Sequence, residues 1–418
     1  MSQLQLAKEE RVGFKSPITM ASVGALVLVF FGILGREGET VFEISRRVDV
    51  IQLPSVPIGS SLLGWVSGIL LLAIAGYSLS FALKNRRTPL WVSVIYGAIG
   101  VIALLGWLAA GNTVPLTFII GTALVLAVPI MLGAMGGLMC ERVGVTNIAI
   151  EAQLLTGAFM GAVVSSITDN FFFGLASAMI GGALVSTILA VFAIKYLAQQ
   201  IIVGVVLNVL MIGITNFLYQ QWLTEDGENV NFPGTLDIIK IPFLSDIPLI
   251  GPVIFENRIT VFAALIFVPT LYFILFKTKL GLRARAVGEH PLAADTVGIN
   301  VGRTRFWWVT LGGMSAGLGG AALTIGNAGA FGREMAGGFG FIALAVVILG
   351  RWHPISAALA ALLFGFSIIL RVWANQVSPG IPTDFITMVP YIVTIIAVVG
   401  FVGQSRPPKA LAIPYTKG

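Results

Sequence analysis

The chain has 418 residues, 57% of them hydrophobic and only 11% charged, with a formal net charge of +6. Soluble domains carry roughly 25% charged residues, so this composition argues against an ordinary soluble enzyme. The basic excess fits cytoplasmic loops of a membrane protein better than a nucleic-acid-binding stripe, and no nucleic-acid partner is expected. With Cys140 as the only cysteine and His290 and His353 far apart, neither a disulfide framework nor a metal site is expected.

A membrane crossing needs about 20 mostly apolar residues. Twelve such segments follow one another near 17–35, 61–83, 90–110, 115–139, 145–168, 171–195, 201–223, 259–277, 306–329, 336–350, 355–375 and 385–402. The segment at 336–350 is short and Gly-rich, so it reads as re-entrant or broken. The fold class is therefore an all-α polytopic membrane protein with about 12 apolar segments, of which 10–12 are transmembrane helices. With the N-terminus inside, 18 of the 25 Lys and Arg residues fall on the inner side, six on the outer side, and Arg371 within a span. That asymmetry predicts both termini in the cytoplasm. The first segment follows a polar start and lacks a small-residue cleavage site, so it reads as an uncleaved anchor.

Polar groups within these segments are the candidates for chemistry, because a central charge costs roughly 2.5–3.5 kcal/mol on insertion scales. Segment 145–168 opens with Thr146, Asn147, Glu151 and Gln153, and the spacing places Asn147 and Glu151 on one helix face. Asn208 and Asn216 lie in 201–223, and Asn327 near the outer end of 306–329. Asn147, Glu151, Gln153, Asn208 and Asn327 could line a pathway for a polar solute. Alternatively the amides join helices, with Glu151 near the inner edge held by Arg142. Gly157 with Gly161 and Gly313 with Gly317 form G-x-x-x-G pairs that suit close helix packing. The acidic, Pro-punctuated stretch 224–258 is expected outside, the basic stretch 278–305 inside.

Within the basic stretch, Pro291 suits the first turn of a short helix and Gly298 its end. The stretch could project as a compact helix into a partner's groove or lie on anionic lipid. Gly338 to Ala343 matches G-x-G-x-x-A but is embedded in an apolar run, so a dinucleotide site is rejected. A broken helix with backbone amides facing a pathway and simple packing both remain open there. No G-x-x-x-x-G-K-[ST], H-E-x-x-H or G-x-S-x-G occurs, so the chain has no P-loop and no catalytic residues are assigned. Arg371 near Asn375 is accounted for by snorkelling.

Three stretches carry a family resemblance. Residues 281–298, G-L-R-A-R-A-V-G-E-H-P-L-A-A-D-T-V-G, look like the coupling loop of ABC importer permeases for ribose-type sugars, nucleosides and branched-chain amino acids. Residues 143–159 resemble the N-I-G-x-E-G-Q-x-x-x-G-A stretch of the nucleoside and simple-sugar branch, with Ala149 and Ala152 where that branch commonly has glycine. Residues 338–354, G-F-G-F-I-A-L-A-V-V-I-L-G-R-W-H-P, form the third match, with F-G following at 364–365.

The resemblance implies a permease core over 112–404 containing the coupling loop 278–305, after an N-terminal transmembrane extension over 1–111 and before a cytoplasmic tail over 405–418. It implies a permease subunit of an ATP-driven importer in the plasma membrane of a prokaryote, and not an enzyme in itself. Its partners would be cytoplasmic ATPase subunits, a second permease subunit of the same or related sequence, an extracytoplasmic solute-binding protein and the lipid bilayer. No cofactor is expected on this chain, ATP and Mg belonging to the ATPase subunits. By matching position, Arg285, Gly288, Glu289 and Gly298 are the coupling candidates. The substrate reading favours nucleosides, with simple sugars as the alternative. An ion-coupled secondary carrier is disfavoured because the spans hold Glu151 and little else acidic.

Overall fold

The structure is a computed structural model, and it describes residues 14–86, 88–225, 227–377, 388 and 407–416. Ten helices among the described residues are long and apolar enough to cross a membrane. They coincide with ten of the twelve apolar segments. The segment at 336–350 holds a helix of only 11 residues, and the segment at 385–402 lies outside the described residues apart from Met388.

The chain divides into two compact units. The first takes in residues 1–120, 246–251 and 370–403. Its described elements begin with α1 (Lys15–Val27), which continues as a π-helix over Leu28–Ile33. Strands β1 (Glu39–Glu43) and β2 (Val56–Gly59) lead into α2 (Ser60–Leu83) and α3 (Leu90–Leu108), followed by β3 (Thr113–Pro115). In this three-stranded sheet β1 is central, antiparallel to β2 and parallel to β3. Close approach holds α1 to α2, since a Cβ on Gly64 would overlap the Phe31 carbonyl. Tyr96 on α3 donates its hydroxyl to the Met20 carbonyl at 2.6 Å. Buried Thr40 joins β1 to Ser60 and to the Gly106 carbonyl.

The second unit takes in residues 121–245, 252–369 and 404–418. Helix α4 (Leu116–Arg142) leads into it, followed by α5 (Ile150–Thr168), α6 (Phe171–Ala190, then π-helical to Lys195) and α7 (Gln200–Leu218, then π-helical to Leu223). A short α8 (Gly227–Val230) and the antiparallel pair β4 (Ile239–Lys240) and β5 (Glu256–Asn257) precede α9 (Ile259–Lys277). Two short helices, α10 (Lys279–Glu289) and α11 (Pro291–Thr296), come next. The series ends with α12 (Val301–Leu323, π-helical over Thr324–Ala328), α13 (Phe339–Leu349) and α14 (Pro354–Val377).

Without a hydrophobic drive between helices in lipid, association depends on close packing of small residues. Here α5, α6 and α12 meet through glycine. A Cβ on Gly157 would overlap the Gly317 backbone, one on Gly182 the Gly313 carbonyl, and one on Gly320 the Leu154 carbonyl. Both G-x-x-x-G pairs lie in this three-helix seam, and at Gly157, Gly313 and Gly317 a side chain would overlap the neighbouring helix, whereas at Gly161 it would meet Ala321 and Ala178 at ordinary distances.

Candidate functional site

The 143–149 connection returns from the end of α4 without helical structure, and α5 begins only at Ile150. Asn147 thus precedes the helix, which corrects the reading that it shares a helical face with Glu151. Its position is set by a reciprocal amide pair. The Asn147 Nδ2 donates to Gln153 Oε1 at 3.1 Å, and Gln153 Nε2 donates to Asn147 Oδ1 at 3.2 Å and to Ser186 Oγ at 2.7 Å. Asn208 of α7 accepts from the Ala152 amide and donates to the Ile148 carbonyl, both at 2.9 Å. Gln200 accepts from the Thr146 amide at 2.7 Å. Asn147, Gln153 and Asn208 are all buried, and the bonds of Asn208 and Gln200 satisfy backbone groups that the non-helical connection leaves open.

Glu151 has a different environment from the one expected. Arg142 directs its guanidinium at the Trp352 carbonyl, which corrects the pairing of Arg142 with Glu151. The Glu151 carboxylate instead accepts the Gly338 amide at 2.8 Å and the Gly340 amide at 2.7 Å. These are first-turn N–H groups of α13, which have no intrahelical partner, and the carboxylate also complements the positive end of the helix dipole. Of the two readings open for this stretch, pathway-facing amides or simple packing, the amides of Gly338 and Gly340 are occupied from within the chain. Gly338 permits the entry, because its φ of +87° suits glycine and disfavours a side chain.

Between α12 and α13 the chain runs through 329–338 without a regular helix. Asn231 brackets Phe331 by accepting its amide at 2.8 Å and donating to its carbonyl at 3.0 Å. The Phe331 ring meets Phe159 edge-on at 5.3 Å and Tyr219 at 6.2 Å. The Arg333 guanidinium lies 5.4 Å from the centre of the Tyr219 ring, and Asn216 donates to exposed Glu334 at 3.2 Å. Asn327, in the π-helical turn before this stretch, is exposed.

The expected coupling residues gather on α10 and α11. Thr278 caps α10 by accepting the Gly281 amide, and Pro291 opens α11 at its first turn. Gly298 follows with a φ of +83°, matching its reading as a helix terminator. Gly288 is buried, and a Cβ there would overlap the Arg142 carbonyl. Half-buried Arg285 lies over the Phe276 ring at 5.0 Å, and Glu289 is exposed at the end of α10. His353, in tilted contact with the Tyr272 and Phe276 rings, has its pKa lowered by burial and then by the Arg142 charge. The tail at 407–416 crosses the same region. Ala410 donates its amide to the Gly288 carbonyl at 2.9 Å, and Arg305, 1% exposed, donates to the Ile413 carbonyl at 3.1 Å.

Sequence reasoning passed over Glu141, Trp352, Tyr219, Phe331 and Glu334, and it gave the 405–418 tail no contact with the coupling helices. Trp352 stood inside the quoted 338–354 stretch, and Glu141 beside Arg142 at a span end. The aromatic group and the tail carry no spacing signal, because their partners are distant in sequence.

Residues 119–398 match the family described as branched-chain amino acid transport system, permease component. The chain belongs to this family. The permease is 40% identical over 317 residues to the guanosine ABC transporter permease protein NupQ of Bacillus subtilis, covering 72% of this chain and 98% of that protein. It is 36% identical over 312 residues to the nucleoside ABC transporter permease protein NupC of Lactococcus lactis, with the same two coverages. It is also 34% identical over 252 residues to the putative glucose ABC transporter permease protein TsgC13 of Haloferax volcanii, covering 60% of this chain and 76% of that one. No solved structure matches. The permease is a transport subunit and not an enzyme.

Proposed function

We propose that this permease carries nucleosides inward across the plasma membrane of a prokaryote. The similarity to nucleoside permeases over nearly their whole length carries the substrate reading. Two permease subunits would enclose the pathway, with ATPase subunits on the cytoplasmic face and a solute-binding protein delivering substrate outside.

The 329–338 stretch supports a route on this reading. Non-helical backbone between membrane helices is tolerated only where protein covers it or water lines it. The 329–338 stretch carries exposed Arg333 and Glu334, which argues for a water-lined face. A base could stack near Tyr219, and ribose hydroxyls could bond to Glu334 and Asn216, with exposed Asn327 a further candidate in the turn before the stretch. Asn147, Glu151, Gln153 and Asn208 brace the helices that flank this route. Counting 329–349 as one crossing, part loop and part half-helix, and 385–402 as another, gives twelve crossings with both termini cytoplasmic.

On the cytoplasmic side, α10 and α11 expose Leu280, Leu282, Leu292 and Val297 among the charges of Arg283 and Glu289. Such a mixed surface suits a groove on an ATPase subunit, with Arg285, Gly288 and Gly298 shaping the helices that enter it. The glucose permease relative favours a second reading, in which a simple sugar is carried.

The test is uptake by the importer reconstituted with its ATPase and binding protein in liposomes. ATP-dependent accumulation of labelled guanosine or uridine, undiminished by excess ribose or glucose, is the expected result. Uptake of labelled sugar with no nucleoside accumulation replaces the nucleoside reading with the sugar one.

A further inference from the structure

The two ends of α13 are held by two acidic residues that bracket one short connection. At its start, Glu151 accepts the amides of Gly338 and Gly340. At its end, the Trp352 indole N–H donates to Glu141, and Arg142 donates through Nε and Nη2 to the Trp352 carbonyl. Glu141, Glu151 and Trp352 are 2%, 6% and 4% exposed. Carboxylates buried this deeply are costly unless hydrogen-bonded, so both bond sets resist opening. Arg351 and Trp352 are both held at positive φ, near +54°, a conformation uncommon for residues with side chains. An 11-residue helix is about 16 Å long, roughly half the hydrocarbon core of about 30 Å.

Ahead of Glu141, α4 already runs against α13. Gly133 of α4 faces Ala343, and Gly137 faces Val347. Asn208 bonds to Ile148 and Ala152, on either side of Glu151. The third contact is with α10, whose Gly288 lies against the Arg142 carbonyl closely enough to exclude a side chain. A displacement of α10 therefore meets Arg142 directly, and Arg142 holds the turn that ends α13.

We propose that residues 141–151 form a bracket that makes α13 follow the coupling helices α10 and α11 as one body, with Glu141, Arg142 and Trp352 as positioning residues for transport. The inference rests on the reading of α10 and α11 as the ATPase-docking element. Packed elements of this kind pass small shifts on because they are not continuously deformable. When ATP draws α10 inward or releases it, the half-helix beside the 329–338 route moves with it. ATP hydrolysis and passage of solute are coupled through that contact.

The experiment uses the complete reconstituted importer with Trp352→Phe, which keeps a ring but loses the indole N–H, and Glu141→Gln. The expected result is unchanged co-purification of the ATPase and near-normal hydrolysis, with solute moved per ATP reduced about tenfold. A structural defect alone would lower assembly and hydrolysis together. A second measurement uses spin labels at Ala293→Cys on α11, exposed and outside the surface assigned to the groove, and Ile348→Cys on α13, in a Cys140→Ala background. The parent distance stays single and unchanged on ATP binding, and Trp352→Phe broadens it. Variants that keep the parent ratio of solute to ATP, or a parent distance that changes on ATP binding, overturn the bracket. A parent chain that binds no ATPase overturns the docking reading beneath it.

Discussion

Glu151 brings a carboxylate into a membrane span, where it is tolerated because two α13 amides donate to it. The same logic governs Asn208, whose single side chain satisfies one donor and one acceptor of the backbone around α5. Replacing Asn208 with Leu keeps the size and leaves the Ala152 amide and Ile148 carbonyl without it. Each buried group so orphaned costs about 1–3 kcal/mol. The purified Asn208→Leu permease should therefore melt clearly below the parent in a thermal-shift measurement in detergent. An unchanged melting temperature would show that those backbone groups find other partners. The glycines of the α5–α6–α12 seam act in the opposite sense, since their contribution lies in the side chains they lack.

Among the elements, α10 and α11 are short and polar by comparison with the spans, and their position depends on what covers them. The tail at 407–416 supplies part of that cover. It bonds to Gly288 and Arg305, and buried Ala410 lies close to Gly144. Removing residues 407–418 uncovers the Gly288 carbonyl and leaves Arg305 without its Ile413 partner. Hydrogen exchange in α10 should then rise, by about tenfold or more for amides near Gly288, where local opening sets protection. Exchange at the parent rate would mean that α10 is held by Arg142 and Phe276 alone. The resemblance placed a coupling element here. It did not reveal the tail crossing it, because Ala410 and Gly288 are joined through backbone groups that every residue carries.

At the scale of the whole molecule, the family match begins at residue 119, and the nucleoside permeases are covered to 98% by only 72% of this chain. Nearly the whole of each of these two relatives is thus matched without about a quarter of this chain. A permease beginning at residue 112 is expected to retain ATP-dependent uptake in the reconstituted importer. Loss of uptake with the ATPase still bound would assign the extension a part in transport itself.

Composition and the run of apolar segments were sufficient, by themselves, to determine that the chain is a helical membrane protein and where ten of its long helices lie. Burial of about 20 apolar residues per crossing is a property of each segment alone. Short motifs at 143–159, 281–298 and 338–354 carried the family. Tertiary structure alone decided which polar groups meet. It turned Asn147 off the helix, gave Glu151 to α13 in place of Arg142, and joined Glu141 to Trp352 across 211 positions of sequence. A hydrogen bond depends on direction and on a partner's position to within a fraction of an ångström, and neither is written in the local pattern of residues.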